Sequence, residues 1–323
     1  MFQRRDLILA GFATVLGRKV QAQSTFPTRP IRILLATGVG SGPDLAVRSL
    51  TGSLSELLKQ PIVVENKPGA NGIIAAKELL KAPRDGYTLL NANIGNALND
   101  ILRPLAGPKM FDDLLPLTDL TAGPMILLVN SSLPVYSAGD LLAYGKSHPN
   151  ELNYGSGGPG SLIQLIGERL KLATGLPMKE VPYRSFGADL IDLVAGHVQV
   201  GFTVWSLIEG QIRAGKVRPL AIASEKRITQ MPDLPTFAEA GLTDIVATGW
   251  NGMFAPAGTP NDIVETLSKA LTACVKRPEY VQKFTSDGSE VGGKSPEEFA
   301  AYIRREQARY REVIVKANIK VLE

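Results

Sequence analysis

Three segments of this chain carry residue types at spacings that suit the capture of an anion. Gly288-Ser289-Glu290-Val291-Gly292-Gly293-Lys294-Ser295 fits G-x-x-x-x-G-K-[ST] letter for letter, the pattern whose amides and lysine cradle nucleotide phosphates when it joins a buried strand to a helix. Here the residues before it, Tyr280 to Asp287, read as a polar helix end with Gly288 as its C-cap. Ser295-Pro296-Glu297-Glu298 reads as an N-cap, a proline in the first turn and a capping-box glutamate. No apolar strand ending in Asp stands ready to hold Mg²⁺. The letters match a P-loop and the context does not.

The second segment, Gly38-Val39-Gly40-Ser41-Gly42-Pro43, follows the apolar run Ile31 to Ala36 and precedes a helix, and Glu65 ends the next strand. A dinucleotide fold needs that order, but Pro43 stands where the third fingerprint glycine belongs. An anion received on the free amides at the helix N-terminus suits the loop better, with Gly38, Val39, Gly40, Ser41 and Asp44 as candidates. The third segment, Asn153 to Ser161, repeats strand, glycine loop and helix. Its glycines let amides approach a ligand, Gly157 among them, and Ser156 and Ser161 add hydroxyls; a plain turn with Ser161 as N-cap is the alternative. Asn93, shortly after another strand, joins the candidates.

Hydrolase and metal chemistry lack their parts. No G-x-S-x-G occurs, and the two histidines, His148 beside Pro149 and His197 after Gly196, stand in turns without clustered carboxylates. No metal or cofactor is expected.

Periodicity places these loops. Residues 31–36, 61–64 and 87–90 read as strands, with helices opening at Pro43 and spanning 72–81, so the first part alternates as an open, mostly parallel sheet. Residues 124–129 read as a strand crossing into a second α/β lobe. That lobe alternates helices at 137–147, 161–173, 187–195 and 205–214 with strands at 152–155, 178–182, 198–203 and 218–223. Residues 245–254 read as the return crossing, and helices near 261–275 and 296–315 pack back on the first lobe. Two crossings between two α/β lobes predict a hinge, with a cleft at the carboxyl ends of both sheets. The expected division is 1–22 leader, 26–127 with 246–323 as one lobe, and 128–245 as the other.

The 323 residues suit two such lobes, and 44% hydrophobic with 20% charged residues is ordinary for a globular protein. The formal charge of +4 is largely a property of the N-terminus. Met1 to Ala22 holds Arg4, Arg5, Arg18 and Lys19 against Asp6, a net +3, which leaves +1 on the rest. That balance gives no reason to expect nucleic acid. The same stretch has a basic start, an apolar run from Leu7 to Leu16 and a small-x-small ending at Val20-Gln21-Ala22, which predicts an export signal cut after Ala22. Arg4-Arg5 leaves twin-arginine and general export both open. The single cysteine, Cys274, lies in an apolar helical stretch and reads as a buried thiol.

Several ordered blocks carry a family resemblance: Val64 to Gly72 (VENKPGANG), Arg84 to Leu90 (RDGYTLL), Leu152 to Ser156, Val181-Pro182-Tyr183-Arg184, Asp192 to Gly196, Pro232 to Thr236 with Glu239-Ala240-Gly241, Trp250-Asn251-Gly252, and Ala255 to Pro260 (APAGTP). Together they resemble the Bug/TctC-type extracytoplasmic solute-binding proteins of tripartite tricarboxylate transporters, over nearly the whole chain from Phe26. The resemblance implies an α/β, two-lobed periplasmic-binding-protein (type II, Venus flytrap) fold with two crossing segments. It further implies a periplasmic, monomeric receptor that closes on a small organic acid and delivers it to membrane permease subunits. The family uses amides, hydroxyls and waters for this.

Against the family pattern, the first loop is altered around Gly38 to Pro43 although Asp44 is kept. Gln164 replaces a histidine, Ser185 a glycine and Thr203 an aspartate. Ser185, Phe186 and Thr203 therefore complete the expected ligand set, with Phe186 and Trp205 as candidates for an apolar wall or for core. A nucleotide- or dinucleotide-binding enzyme and a periplasmic sensor serving a signalling partner are the competing functions.

Overall fold

Ile31–Leu35 (β1) is buried at every position but Arg32, as a strand covered on both faces must be. Ser41 then caps Gly42–Leu58 (α1), whose Ala46, Val47, Leu50, Leu54 and Leu58 form its buried stripe, and Lys59 ends it in the left-handed conformation. The computed structural model describes residues 26–183, 187–242, 245–286 and 288–319. The expected leader and its Arg4-Arg5 pair lie outside them.

The chain continues through Ile62–Asn66 (β2), a 3₁₀ turn at Ala70–Gly72, Ile73–Leu80 (α2), Thr88–Asn93 (β3), Ile94–Leu102 (α3) and Leu114–Pro124 (β4). It then crosses to Ile126–Asn130 (β5), Ala138–Ser147 (α4), Leu152–Ser156 (β6), Leu162–Thr174 (α5), Met178–Pro182 (β7), Ala188–Ala195 (α6), Val200–Thr203 (β8), Trp205–Arg213 (α7) and Val217–Ile222 (β9). It returns through Thr248–Pro256 (β10), Asn261–Val275 (α8), Pro278–Ser286 (α9), Glu290–Val291 (β11) and Pro296–Lys316 (α10). The first sheet has the order β11-β4-β10-β3-β1-β2 and the second β7-β6-β8-β5-β9.

The two α/β lobes and two crossings match the expectation, but the sheets are mixed. β1, β2 and β3 run parallel, as do β6, β7 and β8, whereas β10, β4 and β11 in one sheet and β5 and β9 in the other pair antiparallel. The reason is the crossing itself, since a strand arriving from the other lobe enters against the local direction. The crossing from β4 to β5 takes one residue, Met125. Ile126 and Leu127 already pair with Thr203 and Phe202 of the second sheet.

Around Met125 three segments bind one another through the backbone. The Met125 amide donates to Ala247 O at 3.0 Å, the Ala247 amide to Ala223 O at 2.9 Å, and the Ala223 amide to Met125 O at 2.7 Å. The crossing is thus a closed ring of main-chain bonds.

α10 lies across β4 and touches both α3 and α5, so one apolar core runs from Leu34 and Leu90 of the first lobe through Trp250, Phe299 and Tyr310 to Tyr154 and Leu165 of the second. Phe299 reaches the sheet because position 252 is glycine: a methyl group there would stand 2.3 Å from the Phe299 ring and 2.8 Å from Thr118 O. Gly252→Ala should therefore destabilise the protein by about 1–3 kcal/mol through overpacking. In urea unfolding, Gly252→Ala combined with Phe299→Ala should cost less than the two single changes added. Additive losses would mean that the two residues do not share one constraint.

Candidate functional site

The candidate site is built from the strand-to-helix loops, and each glycine loop is held from beneath by buried polar side chains. In the first, the Gly40 amide donates to Asp44 Oδ2 at 3.0 Å, while Asp44 Oδ1 accepts from Arg48 Nε and from Asn66 Nδ2, each at 2.9 Å. Asn66 also donates to Thr37 O at 3.0 Å and accepts from Arg48 Nη2 at 2.9 Å. Ser41 is buried; its hydroxyl donates to Gly38 O at 2.8 Å and accepts from the Asp44 amide at 3.4 Å. Burial alone would raise the Asp44 pKa. The Gly40 amide, Asn66 and Arg48 outweigh burial and hold the carboxyl below its ordinary value.

The second loop repeats the device with different residues. Buried Ser156 donates to Glu180 Oε1 on β7 and accepts from the Gly158 amide at 2.9 Å. Gln164 accepts from the Gly160 amide at 2.7 Å and donates to Glu180 Oε2 at 2.9 Å. Ser161 caps α5, its hydroxyl accepting from the Gln164 amide at 3.2 Å. Gly158 and Gly160 take φ of 81° and 82°, where a side chain would be strained.

The sequence-derived candidates therefore divide. Gly40, Ser41, Asp44 and Ser156 are engaged in shaping their own loops, while Gly38, the exposed Val39 and the exposed Gly157 form loop surface. Asn93 is only partly buried and caps α3, accepting from the Gly95 amide at 2.9 Å in a capping box with Asn96. Thr203 ends β8 and is buried. Ser185 and Phe186 lie outside the described residues. Trp205 packs into the second lobe's core with Ile126, Leu193 and Ile208.

The described hydrogen bonds close each loop's network within its own lobe, and the second loop also touches the first lobe through Pro159 and Gly160. Sequence reasoning missed Asn66, Glu180 and Asn71, and saw Gln164 only as a substituted histidine. The Ser161-x-x-Gln164 spacing was the local signal. Nothing local marks Glu180, which reaches its partners across the sheet.

The competing chemistries lose their parts. Glu65, the carboxylate a dinucleotide would need, is held by Arg32 at 2.6 and 2.8 Å. In the P-loop-like segment, Glu290 and Val291 pair with β4, and Gly293 and Lys294 wrap the buried Asp119. Asp119 Oδ1 accepts both their amides at 2.9 Å and Oδ2 meets Lys294 Nζ at 2.5 Å. Helix α9 precedes that segment and Ser295 caps α10. His148 stacks on Tyr144, and exposed His197 meets Asp192 at 3.1 Å. Among the described residues no group of three His, Cys, Asp or Glu could hold a metal.

Comparison with known proteins shows the family. Residues 46–319 match the family described as the tripartite tricarboxylate transporter family receptor. The UPF0065 protein in the TAR-I ttuE-ttuC' intergenic region of Agrobacterium vitis is 33% identical, covering 86% of this chain and 80% of its own length. Protein BugT of Bordetella pertussis is 31% identical over 92% of each chain. An R. palustris protein solved with adipate superposes with a TM-score of 0.86 at 33% identity, covering 92% of this chain and 100% of its own. MatC from Rhodopseudomonas palustris with bound malate gives 0.81 at 29% identity, covering 90% and 100%.

The Asp44 network sets a pH signature. A carboxyl whose folded pKa is depressed stabilises the fold above its unfolded value, and that contribution is lost as pH falls through the folded one. Asp44→Asn should cost about 1–3 kcal/mol at neutral pH. The gap from the parent should begin to shrink below about pH 4, where the carboxyl of the unfolded chain protonates, and close once pH falls through the lower value of the folded one. Thermal unfolding of both proteins across pH checks this, and a gap independent of pH would remove the carboxylate from the account.

Proposed function

The chain belongs to the tripartite tricarboxylate transporter receptor family, and we propose that it is an exported receptor that captures a small carboxylate between its lobes and hands it to the membrane permease of a tripartite transporter. One observation carries this reading: each lobe ends a parallel strand in a glycine loop that its own buried side chains hold in shape. Such loops are preorganised to receive an anion without paying for their ordering at the moment of binding. The relatives solved with adipate and malate support the carboxylate class.

In this reading the solute touches the loop surfaces that remain, namely the main chain of Gly38, Val39 and Gly157 and the polar side chains of Asn93 and Ser161, and Thr203 at the buried end of β8 completes the set with Ser185 and Phe186. Gly40, Ser41, Asp44 and Ser156 act by holding those surfaces in place. The two bodies that close on the solute are the expected 26–127 with 246–323 and 128–245, with Ile126 and Leu127 passing to the second because they pair in its sheet. The protein acts as a monomer in the periplasm, uses no cofactor and catalyses no reaction.

Calorimetric titration with adipate, malate and Mg·ATP tests the solute class. At least one carboxylate should bind, and Ser161→Ala should weaken it about ten- to a hundredfold, the loss of a hydrogen bond to a charged group. Binding of Mg·ATP with no response to any carboxylate would overturn the reading. Export has its own measurement: the protein recovered from the cell envelope should begin at Gln23, and an intact Met1 on a cytosolic protein would contradict it.

A further inference from the structure

The glycine loop of the second lobe does more than shape itself. The peptide joining Pro159 to Gly160 has its N–H held inward by Gln164 Oε1, and because a peptide is planar and trans its carbonyl must point the other way. That carbonyl, Pro159 O, accepts from Arg103 Nη2 of the first lobe at 3.3 Å. The next carbonyl, Gly160 O, accepts from Asn71 Nδ2 at 3.1 Å. Both donors stand on one support: Asn99 donates to Asn71 O at 3.0 Å and accepts from Arg103 Nη1 at 3.3 Å.

The receiving surface is fitted to the loop. A methyl group at Gly160 would stand 2.6 Å from Leu102 Cδ1 and would have to be carried at a φ of 82°, so glycine suits the place where the loop seats against α3. On the other side Ala70 and Asn71 both hold positive φ, 46° and 55°. That conformation is unfavourable for alanine and tolerated by asparagine, and residues kept in such regions concentrate at clamps and switches.

We propose that Asn71 and Arg103 form a catch for the second lobe's glycine loop, donating to the Gly160 and Pro159 carbonyls so that the lobes are held together by the protein's own contacts and not by solute alone. The catch sets how often the cleft opens. It rests on the two-lobed receptor reading.

The test uses the mature chain without solute. Spin labels at Lys81→Cys and Arg213→Cys report the distance between lobes; both side chains are exposed, at 77% and 74%, and Cys274 is buried. Asn71→Gly, which keeps the backbone conformation and removes the donor, and Arg103→Ala should each shift the balance about three- to tenfold toward the longer distance, the range expected for one hydrogen bond. Gly160→Ala should do the same by obstruction, and Arg103→Lys, which restores a donor, should recover part of the short-distance population. A distance distribution unchanged in both Asn71→Gly and Arg103→Ala would overturn the catch. Because no solute enters the measurement, that failure stands apart from a failed titration.

Discussion

The ring of main-chain hydrogen bonds among Met125, Ala223 and Ala247 is the constraint on which the rest of this molecule depends. These residues are buried, and a buried backbone group without a partner is costly, so the outgoing crossing and both ends of the returning segment stay joined. That fixes the strand order on both sides. β4 and β10 become neighbours near the middle of the first sheet, β5 and β9 neighbours at one side of the second, and every parallel strand is pushed outward from the crossing. The glycine loops sit at the carboxyl ends of those outer parallel strands, β1 and β6, where an open α/β sheet leaves a crevice.

A loop rich in glycine has many conformations, and both loops solve that problem in the same physical way with unrelated residues. Asp44 in one and the Ser156, Glu180 and Gln164 group in the other turn acceptors toward amides that would otherwise roam. A hydrogen bond to a charged group is the stronger kind, so a single buried carboxylate can order several residues. What remains outward is backbone and hydroxyl, chemistry that meets a carboxylate through hydrogen bonds without a paired counter-charge. Fixing Gln164 against the Gly160 amide also turns the Pro159 carbonyl toward Arg103, so shaping the loop and joining the lobes are one arrangement.

The nucleotide-like motifs show how the same letters do different work in different surroundings. Gly292, Gly293 and Lys294 pack around Asp119, where a methyl at Gly292 would stand 2.4 Å from Asp119 O. The glycines are there for close approach of two chains and the lysine neutralises a buried acid. Glu65 likewise answers Arg32 on the neighbouring strand.

Periodicity, caps and composition by themselves determined most of the elements, because α1, α5, α8 and α10 carry their own caps or apolar stripes and β1 and β5 their own apolar runs. The ordered blocks determined the family, and the leader's pattern determined the expectation of export. The sequence did not disclose α3, whose Asn93-Ile94-Gly95-Asn96 opening reads as a turn and is helical because Asn93 and Asn96 cap each other and its residues are buried on nearly every side. Nor did it disclose β4, where Pro116, Asp119 and Pro124 speak against a central strand until β10 and the segment after β11 satisfy them. The tertiary structure alone decided which candidate side chains turn inward. Ser41, Asp44 and Ser156 have the chemistry of ligand donors or acceptors, but whether a hydroxyl or carboxylate faces a cleft or its own loop depends on partners such as Asn66 and Glu180, which only the sheets bring alongside.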